Sequence, residues 1–382
     1  MVWLVRWEHT SGKVEKQNDY LSFMNKVSPF GQAIWRRFKK NKGGVFGLVM
    51  IVISVLVALF CYFIAPDNSP YGNRIILEIG GEKPGFSQSF LLVEKSQQTT
   101  NILEQSINGK RDQFEYIPIQ SWQEKEDSII AEKYIDEDLT ERISYPKSSL
   151  ASDPVLNQKF LLGSDKFGRD ILSRLIIGTR ISLSVGLITV LISLTIGIIL
   201  GALAGYFKGK ADDIIMWLIN IIWSIPTLLV VFAITLLLGK GFWQVFIAVG
   251  LTMWVNVARL VRGQVMAAKE LQYVEAAKVL GFSNFRIIFK HILPNIMGPV
   301  LVIAASNFAS AIVIEAGLSF LGIGVQPPQP SWGLMIRENY NFIITQNPML
   351  ALAPGFAIML LVLSFNLLGN GLRDALNVRG KL

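Results

Sequence analysis

The chain has 382 residues, of which 51% are hydrophobic and only 17% charged, with a mean hydropathy of +0.43. Soluble domains carry roughly 25% charged residues, so the composition excludes a disordered chain, an ordinary basic nucleic-acid-binding protein and most soluble enzymes. The formal charge of +8, from 36 basic and 28 acidic residues, points either to an anionic partner or to the cation excess that orients a membrane protein.

A single cysteine, Cys61, excludes an internal disulfide and a cysteine-based metal site. The two histidines, His9 and His291, have no ligand spacing. In chain order, Ser28-Pro29 is a helix start. Phe30, Ile34, Trp35 and Phe38 give an interfacial helix on which the basic stretch Arg36, Arg37, Lys39, Lys40 and Lys42 is superimposed. Val45–Ala65 then runs 21 residues without a charge. That is longer than the roughly 7–15 apolar residues of a signal peptide, so a retained transmembrane helix is expected at 45–65, preceded by an N-terminal segment at 1–44.

Asp67–Phe160 differs in kind, with 16 acidic and 10 basic residues, leaving +14 on the rest of the chain. Phe90–Val93 and Tyr116–Ile119 alternate as strands do, and Ser128–Arg142 is read as a helix. The expected result is a small extracytoplasmic insert at 66–165, either α+β or irregular. The chain then returns to long uncharged runs: Ile181–Phe207 of 27 residues, Ile214–Gly239 of 26, Gly241–Ala258 of 18, Ile292–Ile314 of 23 and Asn339–Leu372 of 34. A helix crossing about 30 Å of hydrocarbon needs about 20 residues. These runs predict a membrane core at 166–370, with helices at about 181–207, 214–239, 241–258, 292–322 and 348–369, and a tail at 371–382. The fold class expected is an all-α polytopic membrane protein of six transmembrane helices. Gly197, Gly201 and Gly205 have the small-xxx-small spacing of close helix packing, and Pro226 and Pro299 are sites where spans can kink.

Basic residues set the orientation. With the N-terminus inside, segments 1–44, 208–213, 259–291 and 371–382 hold 9, 2, 6 and 3 of them, against one each, Lys240 and Arg337, in the two short outer loops. Lys166, Arg169, Arg174 and Arg180 run against that bias at the outer edge. Both termini are therefore expected in the cytoplasm, with membrane lipid around the spans.

Catalytic signatures are absent. Arg169 and Asp170 stand where a phosphate loop would have its lysine and hydroxyl. No nucleophile elbow, metalloprotease helix or kinase signature occurs, and no catalytic or metal site is assigned. The first four spans hold no ionisable residue of the kind an ion-driven transporter uses. The energy for any transport must come from other chains.

The inner loop 259–294 contains Glu275-Ala276-Ala277, then Gly281, then Leu293-Pro294. Gln272–Leu280 is expected as a helix with Gly281 at its C′ position, followed by a second short helix from about Ser283 to Ile292. This spacing resembles the coupling loop of ABC-importer permeases. The resemblance extends over about 36–66 and 160–380, to the second permease subunit of the oligopeptide/dipeptide importers, a family that also contains nickel importers. It is carried by Leu162–Asp170 with Leu172–Leu175, by Tyr273–Gly281 and Ile287–Asn295, by Glu315–Gly324 with Gln326–Pro328 and Pro330–Gly333, and by Phe365–Gly369 with Gly371–Leu376.

The resemblance implies a type I importer permease fold in a bacterial inner membrane. It implies a second homologous permease as heterodimer partner, two cytoplasmic ATPase subunits carrying ATP and Mg, and an extracytoplasmic substrate-binding protein. It involves no nucleic acid and no cofactor on this chain. Glu275, Ala276, Ala277, Gly281, Leu293 and Pro294 would couple to an ATPase, and Glu315 and Trp332 are candidates for the substrate path or the external edge. Peptide is the expected cargo, with nickel or another small solute as the alternative. A membrane enzyme with its site in the insert and an export permease are the rivals. The insert at 67–160 is the departure from the family pattern.

Overall fold

The computed structural model describes residues 29–95, 101–136, 139–344 and 347–376. Ser28, His9, the rest of the N-terminal segment before Pro29 and the end of the tail lie outside them.

Helix α1 (Pro29–Phe38) begins with its proline in the first turn, where the missing N–H costs nothing. Phe38 is buried and stacks on Trp35 at 5.7 Å. Asn41 turns the chain into α2 (Lys42–Leu59) by accepting from Gly44 N at 2.8 Å, while its own amide donates to Asp374 at 2.7 Å. Gly44 and Gly47 let α2 lie directly on the backbone of the last helix, because a Cβ at either would strike Gly371 Cα or Ser364 O.

The insert is a five-stranded antiparallel sheet: β1 (Phe86–Glu94), β2 (Phe114–Glu124), β3 (Ser128–Asp136), β4 (Leu139–Pro146) and β5 (Leu150–Phe160), in the order β4-β3-β2-β1-β5. Strand β1 lies inside and is buried on both faces, as its alternation requires. Leu91 joins Ile117, Ile119, Ile129 and Ala131 on one side, while Phe90 and Leu92 join Ile76, Ile79 and Phe160 on the other. The helix expected over Ser128–Arg142 is corrected to the hairpin β3–β4. Its backbone groups are satisfied by ladders to β2 and between the two strands, with Glu132 opposite Arg142 and Lys133 opposite Glu141. Lys133 also bonds Glu78 at 2.9 Å, which holds its ammonium above the usual lysine range.

Helix α3 (Ile171–Phe207) follows; its 37 residues reach about 55 Å at 1.5 Å each. It starts ten residues before the expected 181 because Asp170 caps it, accepting from Ser173 N at 2.9 Å, and because the early charges are neutralised. Arg174 and Arg169 both bond Asp165 and Glu338, at 2.6–2.9 Å, and Arg180 donates to the carbonyls of Ser106 and Ile107. The three arginines that run against the charge bias are thus bound within the chain. Gly163 and Gly168 in the same loop have φ of +79° and +73°, and a Cβ at Gly168 would overlap Ile76 O. This loop is a fastening between insert and helix, consistent with its lack of phosphate-binding residues.

The run 214–239 is broken in two. Helices α4 (Gly209–Trp223) and α5 (Thr227–Leu238) meet at a 93° bend, at Ser224-Ile225-Pro226, where the proline has no N–H to give. Helix α6 (Phe242–Lys269) extends eleven residues beyond the expected 258, so Arg259–Lys269 of the expected loop is helical. Its charges are accommodated locally: Arg259 lies 3.7 Å over the Trp223 ring, and Arg262 clamps Asp212 with two bonds. Of its apolar stretch 67% is buried, against 17–39% in the other long helices. That explains why the least hydrophobic run is nevertheless a central helix. Gly197, Gly201 and Gly205 are filled by α6, since Cβ atoms there would meet Val257, Ala258 O and Arg262 O.

After α7 (Gln272–Val279) come α8 (Leu293–Phe320), α9 (Trp332–Asn339) and α10 (Met349–Leu376). Five helices among the described residues are long and apolar enough to cross a membrane, and six if the bent α4–α5 pair is one span. The molecule is a helical membrane body with the sheet at one end and α7 at the other.

Candidate functional site

Helix α6 ends at Lys269, and an extended Leu271 (φ −86°, ψ 143°) sets the chain off into α7. Val274 and Ala277, three residues apart on one face, are buried against Val261, Val265 and Ile292. The opposite face carries Glu275 and Ala276, both exposed. Of the alanine pair, then, only Ala276 faces outward; Ala277 anchors the helix to its own chain.

The end of α7 is closed by two bonds, Gly281 N to Lys278 O at 2.9 Å and Phe282 N to Ala277 O at 3.1 Å. This is the Schellman pattern, and it demands the φ of +74° that Gly281 supplies. The turn leaves Val279 and Leu280 standing out, 84% and 71% exposed, and the short helix that follows exposes Phe285 and Phe289, which stack on each other at 6.4 Å. With Lys278 and Glu275 also exposed on α7, these large apolar side chains give this end of the chain an exposed apolar patch with charges beside it.

What holds this surface is a set of contacts that motif reading does not reveal. Phe282 stacks on His291 at 5.7 Å, and the Arg286 guanidinium lies 4.1 Å from the centroid of the Phe282 ring. Tyr206, near the end of α3, donates its hydroxyl to Asn284 at 2.8 Å, and its carbonyl accepts from Lys269 at 2.6 Å. Lys208 pairs with Glu270 at 3.1 Å, and this ammonium holds the Glu270 carboxyl below the usual range. Only the presence of His291 was visible as a distinguishing residue in the sequence.

The second short helix begins at Asn284 with Ser283 as cap, then widens into a π turn over Ile287–Ile292. There Leu293 N donates to Ile288 O, five residues back. Ile287, Ile288, Ile292 and Leu293 fill the core beneath, whereas Pro294 is exposed in the first turn of α8. Glu275, Ala276, Ala277 and Gly281 thus share one helix and its cap, while Leu293 and Pro294 form the base.

The other two candidates are elsewhere. Glu315 is 1% exposed and accepts from Ser319 at 2.6 Å, within a group that includes Ser331. Trp332 is 3% exposed; its indole donates to Leu175 O at 3.0 Å and its ring covers Gly178. Both side chains lie in the interior of this chain: Glu315 has its partner one turn further along α8, and Trp332 has its partner on α3. Among the described residues no group of three or more His, Cys, Asp or Glu could hold a metal ion.

Residues 197–380 match the family described as the binding-protein-dependent transport system inner membrane component, and residues 28–76 match the N-terminal transmembrane domain of oligopeptide transport permease C. The glutathione transport system permease protein of Pectobacterium atrosepticum is 42% identical over 220 residues, 58% of this chain and 73% of that protein. The oligopeptide transport system permease protein of Bacillus subtilis is 39% identical over 237 residues, 62% and 77% of the two chains. The dipeptide transport system permease protein of Lactococcus lactis is 31% identical over 360 residues, 92% and 91%. With a bundle of apolar helices, matches at both ends of the membrane body and a relative aligned over nine-tenths of both chains, the chain belongs to the oligopeptide/dipeptide family of ABC-importer permeases.

Proposed function

We propose that the chain forms half of the transmembrane path for peptide uptake. It pairs with a second, homologous permease and passes the work of two cytoplasmic ATPase subunits to its spans through α7. ATP and Mg act on those subunits, this chain has no catalytic role, and an extracytoplasmic binding protein delivers the peptide. In this reading the α7 end and both termini lie in the cytoplasm of a bacterial cell, and the sheet lies outside.

The observation that carries the reading is the capped helix α7, whose Val279 and Leu280 project almost entirely from the chain while Val274 and Ala277 tie it to α6 and α8. A lever needs both a free face and a rigid root, and α7 has both. The charge distribution supports the orientation, since the arginines at the sheet end are held by Asp165, Glu338 and carbonyls of the insert.

The test is uptake of a labelled dipeptide and of labelled nickel by cells carrying variants of this chain with the rest of the importer. Gly281→Pro removes the N–H and the positive φ that cap α7, and Glu275→Lys reverses a charge on its free face. Both variants are expected to insert normally and to lose dipeptide uptake. Normal uptake by either one refutes the coupling role, and uptake of nickel alone by the unaltered protein refutes the peptide cargo.

A further inference from the structure

Where the bend between α4 and α5 meets α6, α8 and α10, the chain leaves a cavity of about 420 Å³, with Trp223, Thr227, Asn256, Ser310 and Asn366 in its wall. Its depth is the first notable property. Asn256 is the fifteenth of 28 residues in α6, and Ser310 and Asn366 are each the eighteenth of 28 in α8 and α10. All three lie within the uncharged runs of their helices, where a lipid-facing side chain would meet hydrocarbon.

The second property is that they are unsatisfied. Asn256, Ser310 and Asn366 are exposed, and within the described residues none has a hydrogen-bond partner. A polar group facing lipid costs several kcal/mol when unpaired, so three on one face of three different helices are not lipid-facing. The third property is the bend itself. A 93° break at Ser224-Ile225-Pro226 frees backbone groups at membrane depth, which is tolerated where the break is buried in protein or lines a water-filled cavity. The last property is the absence of charge: no Asp, Glu, Lys, Arg or His lines the cavity.

We infer that this cavity is the chain's half of the path and that Asn256, Ser310 and Asn366 are its peptide-contacting groups, an inference that rests on the peptide-permease reading above. A carboxamide offers two donors and an acceptor, and a hydroxyl offers both functions. Asn256 and Asn366 therefore match the N–H and C=O of any peptide unit, whatever its side chain. Without a fixed charge, the wall holds no deep well for the charged termini or side chains of the cargo, and binding stays weak enough for release. The path reads backbone chemistry and tolerates sequence.

Cys61 is the sole cysteine and is buried, so a Cys61→Ala background permits single reporters. Asn256→Cys, Ser310→Cys and Asn366→Cys are made in that background and each is reconstituted with the complete importer in proteoliposomes. They are exposed to a water-soluble, charged methanethiosulfonate reagent with and without tri-alanine and the binding protein. Leu191→Cys, exposed within the uncharged run of α3, is the reference.

Labelling at the three positions is expected to be at least about tenfold faster than at the reference, because the reacting thiolate forms in water and not in hydrocarbon, and to be slowed by tri-alanine occupying the cavity. Asn256→Leu with Asn366→Leu is expected to cut tri-alanine uptake by a similar factor or more, with the complex still assembled and hydrolysing ATP. Labelling no faster than the reference, labelling indifferent to tri-alanine, or full uptake by the double variant each overturns the inference. Those outcomes are distinct from failure of the underlying reading, in which the unaltered complex itself takes up no tri-alanine.

Discussion

Gly281 and Arg174 illustrate two ways in which one residue decides a local outcome. Gly281 adopts a left-handed φ that costs other residues roughly 1–2 kcal/mol, yet nothing lies within 4 Å of where a Cβ would sit. Its requirement is conformational rather than steric, and that kind of requirement is readable from a helix pattern followed by glycine. Arg174 is the opposite case. Its partners Asp165 and Glu338 are 9 and 164 positions away, and it is 1% exposed. A cation within a helical span reads from sequence as a topology signal, and only the fold reveals it as half of a buried cluster. Removing one partner of such a cluster leaves an uncompensated charge, at a cost of roughly 3–5 kcal/mol. Asp165 is shared by both arginines and also accepts from the N–H groups of Phe167 and Arg169. Asp165→Asn is therefore expected to lower the thermal midpoint of the detergent-solubilised chain strongly, whereas Glu141→Gln on the exposed edge of the sheet leaves it unchanged. Equal midpoints for the two variants would show that the cluster is not a structural anchor.

At the scale of elements, the long uncharged runs were legible because a membrane imposes one dominant constraint, apolarity over about 20 residues. The constraint weakens wherever protein replaces lipid. That is why α6 continues through Arg259 and Arg262, whose charges meet Trp223 and Asp212, and why α4–α5 bends instead of crossing straight. The hairpin β3–β4 was illegible for a related reason. Ala131, Glu132 and Lys133 favour helix locally, but Ile129 and Ala131 alternate into a core built by Ile117 and Ile119 from another strand. The π turn at Ile287–Ile292 was also invisible, since it differs from α-helix by a single residue of register. Deleting Lys290, which is exposed, would close the turn to α geometry and rotate α7 by about 100° about the axis of α8, one residue's share of a 3.6-residue turn. The expected result is a chain that inserts and retains its spans but no longer supports peptide uptake or uptake-linked ATP hydrolysis. Retention of both activities would mean that the orientation of α7 is not set by this turn.

For the molecule as a whole, the formal charge of +8 conceals a partition of +14 on the rest of the chain and −6 on Asp67–Phe160. The sheet is tied to the membrane body by few but specific bonds. Asp67 N donates to the Ser173 hydroxyl at 2.7 Å, Asn347 donates to Glu82 O at 3.0 Å, and Arg180 donates to the carbonyls of Ser106 and Ile107. All of these lie outside β1–β5. Replacing residues 87–159 by a short Gly-Ser linker between Phe86 and Phe160 is accordingly expected to leave a chain that inserts and co-purifies with its ATPase partners, measured by affinity capture from solubilised membranes. Loss of the chain from the membrane fraction would show that the sheet is needed to fold the spans.

Phe86 and Phe160 are also directly paired across the β1–β5 ladder, so the chain leaves for the insert and returns from it at adjoining points. The gap that the spans must close is then independent of how many residues lie between. Loop-closure entropy grows only with the logarithm of loop length, about 0.6 kcal/mol per doubling, and here the strand pair itself performs the closure. The extramembrane part can lengthen, shrink or be exchanged over evolutionary time without asking the helices to refold. It is a graft on a fixed stem.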